Sequence, residues 1–135
     1  MSLDKALNEV VSSVPDCLAA GLVDLSTGML LGIKSVDSHP AEVMDILAAA
    51  TADMFQGQNV TMIENLFKKS RGLKENDGHH YFQEMIVNSD NLVHVFCRCK
   101  TNEEYVLGVV CRKNVNLGMA LTKVRKILPT VEVAV

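Results

Sequence analysis

The chain has 135 residues, 48% of them apolar and 21% charged, and a formal net charge of −3. This describes one domain, spanning residues 1–135, able to bury about two-thirds of its unfolded surface, and it excludes a disordered chain. The acidic balance gives no electrostatic case for nucleic acid or anionic lipid, and with Trp absent and few aromatics there is little for bases to stack on.

Met1-Ser2-Leu3-Asp4-Lys5 lacks a basic region followed by an apolar core, so no signal peptide is expected. No apolar run approaches the ~18 residues of a membrane span. Four cysteines scattered through apolar segments read as reduced, buried thiols, which suits a cytoplasmic protein.

Leu3, Leu7, Val10 and Val14 repeat at helical spacing, and Pro15 stops that helix. Cys17 to Leu25 is then a nearly continuous apolar run of strand length. Asp24-Leu25-Ser26-Thr27-Gly28 signals a turn, and Met29 to Ile33 forms a second short run, so a hairpin is expected. Neither run alternates cleanly, which predicts cover on both faces.

Pro40 to Ser70 reads as one unusually long helix, about 45 Å at ~1.5 Å per residue, longer than a small domain is wide. Val43, Leu47, Ala50 and Met54 make one apolar stripe, and Met44, Ala48, Thr51 and Phe55 a second beside it. Val60, Ile63 and Phe67 continue the apolar surface. A band this wide suits a helix buried on two sides, by its own domain and by a partner. Gly57 marks either a bend within this helix or, alternatively, a break into two helices near Gln56-Gly57-Gln58-Asn59.

Arg71 to His80 is a polar loop containing Asn76-Asp77-Gly78. Three strands are expected after it, Tyr81 to Ser89, Leu92 to Lys100 and Tyr105 to Arg112, joined by short polar turns as a meander. Val93, Val95, Cys97 and Cys99 share one face of the middle strand, and Leu107, Val109 and Cys111 one face of the last, forming a single core layer. The opposite faces mix Phe82, Ile86, Phe96, Val106 and Val110 with Glu84, His94, Arg98 and Arg112 and are expected to be partly buried. A closing helix carries Leu117, Ala120, Leu121, Val124 and Leu128 on one stripe, with Asn114 or Asn116 as cap and Pro129 as terminator. Thr130 to Val135 is then a frayed tail or short edge segment.

The expected fold is therefore α+β and layered. A five-stranded, mostly antiparallel sheet carries the long helix on one face and two shorter helices on the other.

Catalysis has no foothold in the sequence: no P-loop, no Gly-x-Ser-x-Gly elbow and no His-Glu-x-x-His helix occurs, and the acidic residues are dispersed. No cofactor is expected. Cys97-x-Cys99 with Cys111 is a weak metal alternative, since strand spacing puts the first two on one face at about 6–7 Å. Zinc ligands normally stand two to four residues apart, and small apolar core residues are the simpler reading of these cysteines. His79-His80 reads as exposed, and Lys68, Lys69, Arg71 and Lys74 as a solvated helix end.

Val14-Pro15-Asp16 leading into Ala20-Gly21-Leu22-Val23-Asp24, and then Ser26-Thr27-Gly28-Met29-Leu30-Leu31-Gly32, resembles the opening of the roadblock/LC7 family. Asp16 stands where glycine is common in that opening. The order of elements also resembles that family over nearly the whole chain, with profilin-like and longin-type folds as neighbours. The resemblance implies a bacterial, non-enzymatic homodimer in which the long helices (Ala41 to Ser70) pack side by side and the third strands (Tyr81 to Ser89) pair at their edges. Met54, Phe55, Val60, Ile63, Phe67, Phe82, Met85 and Ile86 would then line the interface. It further implies a scaffold or regulator that binds a small Ras-like GTPase or a larger multiprotein complex. The competing expectation is a small-molecule or metal sensor, with Met29, Met44, Met54 and Met62 around a pocket.

Overall fold

The computed structural model describes residues 2–36, 41–75 and 79–135, with the side chains of 41–44 left aside. Pro40, Asn76-Asp77-Gly78 and the side chains of Val43 and Met44 lie outside the described residues.

Helix α1 (Leu3–Ser13) starts where the Ser2 hydroxyl accepts the Lys5 amide, and it ends where Val14 turns extended before Pro15. Asp16 adopts a left-handed conformation (φ 52°), which accounts for the glycine usually found there in the family that the opening resembles. Strands β1 (Cys17–Asp24) and β2 (Met29–Ser35) form the expected hairpin. In its turn the Asp24 carboxylate accepts the Ser26 amide and hydroxyl, and Gly28 takes a positive φ. Then follow helices α2 (Ala41–Gln56) and α3 (Gln58–Ser70), strands β3 (Glu84–Asn88), β4 (Leu92–Arg98) and β5 (Tyr105–Arg112), and helix α4 (Leu117–Glu132).

The strands make one antiparallel sheet in the order β2-β1-β5-β4-β3, so β2 and β3 are its edges. On one face α1 and α4 bury Leu7, Val10, Val124 and Val131 against Leu22, Val95, Leu107 and Val109. Cys97, Cys99 and Cys111 lie in this layer, as their strand faces predict. On the other face α2 sets Ala48 and Phe55 against Val23, Leu25 and Val106. The expected architecture is the observed one: a long helical stretch on one face and two shorter helices on the other.

Four local features differ from expectation. The hairpin is not covered on both faces, because Met29, Leu31 and Ile33 of the edge strand β2 are exposed. The stretch 41–70 is not one continuous helix, because Gly57 leaves helical geometry (φ −58°, ψ 159°) and caps α3. A Cβ at this position would stand 2.6 Å from the Asp53 carbonyl oxygen, so the sharp break requires glycine. Pro129 does not end the last helix, which runs on to Glu132. Proline costs that helix one N–H, but Val131 is fully buried, and the Glu132 carboxylate accepts the amides of Lys100 and Thr101, at 2.9 and 2.7 Å. These contacts hold the final turn, so the tail is not frayed at Val131. Strand β3 begins at Glu84 instead of Tyr81, because the backbone just before it is bound to α3.

Candidate interaction surface

That binding is built from polar residues. Glu64 is buried, and its carboxylate accepts the amides of both Tyr81 and Phe82. Lys68, one turn later on the same face, is also buried and donates to the His79 carbonyl. It is therefore not part of a solvated helix end, although Lys69, Arg71 and Lys74 are exposed. Phe67, Tyr81 and Phe82 stack around this attachment with ring centroids 5.3–6.1 Å apart. His79 is exposed, whereas His80 is half-buried, with Nε2 3.1 Å from Glu104 and Nδ1 3.7 Å from Glu64.

Arg98 is the second polar anchor. It was expected on a partly buried face, yet it is 1% exposed. Its guanidinium donates to the carbonyls of Phe82 (2.9 Å), Glu103 (2.6 Å) and Phe55 (3.4 Å) and stands 5.2 Å from the centre of the Phe55 ring. Burial lowers its pKa, opposed by the charges of Glu64, Glu103 and Glu104. One side chain thus joins the end of α2, the approach to β3 and the β4–β5 turn.

With its polar residues turned inward, α3 leaves its apolar ones outside. Ile63 and Phe67 are exposed, Met54 and Val60 are half-buried, and on or near the edge strand Phe82 and Met85 are half-buried and Ile86 exposed. Phe55 departs from the expected set. It is fully buried, edge-on to Phe96 at 6.2 Å and beneath Arg98, so it is a core residue of its own chain and offers no surface. Ile46, Leu47, Met62, Leu66 and Val87 are exposed as well, and only Leu47 stood in an apolar stripe read from the sequence. Once Ala48, Thr51 and Phe55 are known to face inward, helical spacing places Ile46 on the opposite side and Leu47 at the flank of the buried face.

Edge strand β3 adds to this surface. Ile86 lies opposite Val95 and Val87 opposite His94, so one points to each side of the sheet. Its single charged residue, Glu84, is clamped by Arg125 through two bonds of 2.8 and 2.6 Å, which holds its carboxyl below the usual range. An edge strand with neither proline nor a free charge lacks the usual protection against pairing with another chain.

Neither a protein-family model nor any curated protein matches the chain. Solved structures do. The roadblock/LC7 domain from Streptomyces avermitilis is 15% identical with a TM-score of 0.67, covering 98% of this chain and 96% of that one. MglB from Myxococcus xanthus is 16% identical with a TM-score of 0.68, covering 97% and 93%. The chain has the roadblock/LC7 fold. The neighbouring profilin fold matches less well: profilin II of Acanthamoeba castellanii is 13% identical with a TM-score of 0.57, at 96% coverage of both chains.

Within this roadblock/LC7 fold, Cys97 and Cys99 are buried, and their thiols are pushed up to about 12, chiefly by that burial. Among the described residues no three His, Cys, Asp or Glu side chains are placed to hold a metal ion. A depression of about 370 Å³ beside α4 is rimmed by Glu84, Lys100 and Arg125 and contains none of the methionines expected of a sensor pocket. Met29 and Met62 are exposed and Met54 is half-buried, while the Met44 side chain lies outside the described ones. No helix among the described residues is long and apolar enough to cross a membrane.

Proposed function

We propose that the chain is a homodimeric, non-enzymatic regulator or scaffold in a small Ras-like GTPase pathway, working in the cytoplasm. The observation that carries this reading is the apolar surface of α2 and α3, Ile46, Leu47, Met62, Ile63, Leu66 and Phe67, beside an unprotected edge strand with Ile86 and Val87 exposed. A second copy is the occupant that fits, because one two-fold axis would lay the helices side by side and pair β3 with β3 around Ile86. Met54, Val60, Ile63, Phe67, Phe82, Met85 and Ile86 remain the proposed interface, and Phe55 is withdrawn from it. The non-enzymatic reading is supported by the work of the convergent polar groups: Glu64, Lys68 and Arg98 bind backbone atoms and hold segments together. The GTPase partner rests on the roadblock/LC7 resemblance, with MglB, which is described as a gliding protein from Thermus thermophilus, among the folds that match.

Light scattering after size exclusion tests the dimer. A mass of twice the 14.8 kDa chain, persisting on dilution, is expected. A monomer at all concentrations refutes it. Pull-down against a cognate small GTPase, loaded with either nucleotide, tests the pathway separately. Failure to bind in both states removes the partner and leaves the dimer standing.

A further inference from the structure

Two of the four cysteines are neighbours across the sheet, on the face away from α2 and α3. Cys17, the first residue of β1, lies directly opposite Cys111 of β5. The Arg112 amide donates to the Asp16 carbonyl at 3.0 Å just beyond this pair, and the register shifts between Cys17 and Ala19, so the two cysteines face each other beside an irregularity of the ladder. Directly opposed residues of an antiparallel ladder have α-carbons about 4.5–5.5 Å apart, within the range that a disulfide spans. The Cys17 thiol donates to the Ala19 carbonyl at 3.3 Å. Cys17 is half-buried, whereas Cys111 is wholly enclosed.

We propose that Cys17 and Cys111 form a redox modification site, at which a small disulfide such as oxidised glutathione converts the two thiols into an intramolecular disulfide. Cys17 is the more exposed of the two residues. As its thiolate it attacks the small disulfide, forming a mixed disulfide and releasing one small thiolate, which takes up the Cys17 proton. Cys111, as thiolate, then attacks the Cys17 sulfur, closing the Cys17–Cys111 bond and expelling the second small thiol with the Cys111 proton. Both protein thiols are oxidised and one small disulfide is reduced to two thiols, so atoms and electrons balance.

The Cys17 thiol is pushed up first by its interaction with Cys111 and then by burial, while the same interaction draws Cys111 down, so the first attack, by Cys17, is the slow step and the resolving attack by Cys111 the fast one. Cys97 and Cys99 serve as internal controls. They are two apart in sequence on one face, both buried, and both pushed up to about 12. Neither stands opposite another cysteine: Cys97 pairs with Leu107 and Glu84.

The experiment is incubation of the full reduced chain with oxidised glutathione, followed by thiol counting in denaturant, non-reducing peptide mapping and thermal unfolding. Two of the four thiols should be lost, the mass should fall by two hydrogens, and one linked peptide pair should join Cys17 to Cys111. The bridge closes a loop from residue 17 to residue 111, which should raise the melting temperature by about 10 °C or more, reversibly with dithiothreitol. Cys111→Ser should stop at a stable glutathione adduct on Cys17, and Cys97→Ser should still form the bridge. Retention of all four thiols in the parent, a stable adduct on its Cys17, or a link through Cys97 or Cys99 overturns the proposal.

Discussion

Replacing Arg98 with methionine sets two physical effects against each other. A buried charge is costly to desolvate, and exchanging buried ion pairs for apolar residues of similar volume is often stabilising. Here the partners of the charge are backbone carbonyls, which no substitution removes. Losing the guanidinium strands the Phe82 and Glu103 oxygens, now bonded at 2.9 and 2.6 Å, and loses the weaker 3.4 Å contact to Phe55. At ~1–3 kcal/mol for each group left unpaired, Arg98→Met should cost about 2–6 kcal/mol, most of it from the two short bonds. The lost stacking over Phe55 adds to this, and the apolar methionine offsets part of it. That is a large share of a typical domain stability of about 5–15 kcal/mol. Urea unfolding at one fixed protein concentration, with the midpoint and slope fitted separately, measures it. Arg98→Lys keeps the charge but not the three-way geometry and should fall between the two. A methionine variant within about 1 kcal/mol of the parent, or more stable, would refute the reasoning: the guanidinium would then be a tolerated burden and not an anchor.

Other outcomes follow from the same geometry. Ile63→Asp and Leu66→Asp alter exposed positions, so each should convert the proposed dimer to monomer by light scattering while the circular dichroism stays native. Phe55→Asp should instead unfold the chain, since it would bury a carboxylate in the core. Gly57→Ala should lower the melting temperature, the opposite of what helix propensity predicts, because the new Cβ meets the Asp53 oxygen at 2.6 Å; a rise in melting temperature would show that the break is not enforced there. Glu84 has a folded pKa below its usual 4.5, chiefly through its bond to Arg125. Its contribution to stability is therefore complete above about 4.5 and is lost as the pH falls through the lower folded value. Thermal melts from pH 6 down to 3 should show Arg125→Ala losing this part of the acid sensitivity; parallel curves for parent and variant would sink the assignment.

Much of the fold was legible because its signals are periodic. The two-residue alternation of Val93, Val95 and Cys97 and of Leu107, Val109 and Cys111 marks one core layer, and the Asp24–Gly28 turn marks its hairpin. Features set by single long-range contacts were not legible. Pro129 reads as a stop until Val131 is seen in the core and Glu132 on the amides of Lys100 and Thr101. Tyr81–Gln83 reads as strand until Glu64 claims two of its amides. Phe55 and Ile63 look alike in sequence, two apolar residues on one helical stretch. The difference between them depends on the phase change at Gly57 and on Arg98, which lies 43 residues beyond Phe55.

The inversion of α3 bears most directly on function. A helix that packs only on its own sheet normally turns apolar residues inward and polar ones outward. In α3 the buried residues are Glu64 and Lys68, while Met62, Ile63, Leu66 and Phe67 are exposed. Burying two ionisable side chains is costly unless each finds partners, and these do so on the backbone of residues 79–82. The break at Gly57 interrupts the helical phase between α2 and α3, and the polar face of α3 lies against that segment. Such a helix gains little from its own domain beyond those bonds and the aromatic contacts of Phe67. Its apolar face is exposed in the single chain, and the proposed second copy would cover it. The same contacts that hold α3 also fix the start of β3, the edge strand next to which a covering copy would pair. Glu64→Gln should therefore weaken self-association as well as stability, because a neutral amide accepts the Tyr81 and Phe82 amides less strongly than a carboxylate. Light scattering and urea unfolding on the same samples distinguish the cases: if stability drops and the dimer is untouched, α3 and β3 are not coupled in this way.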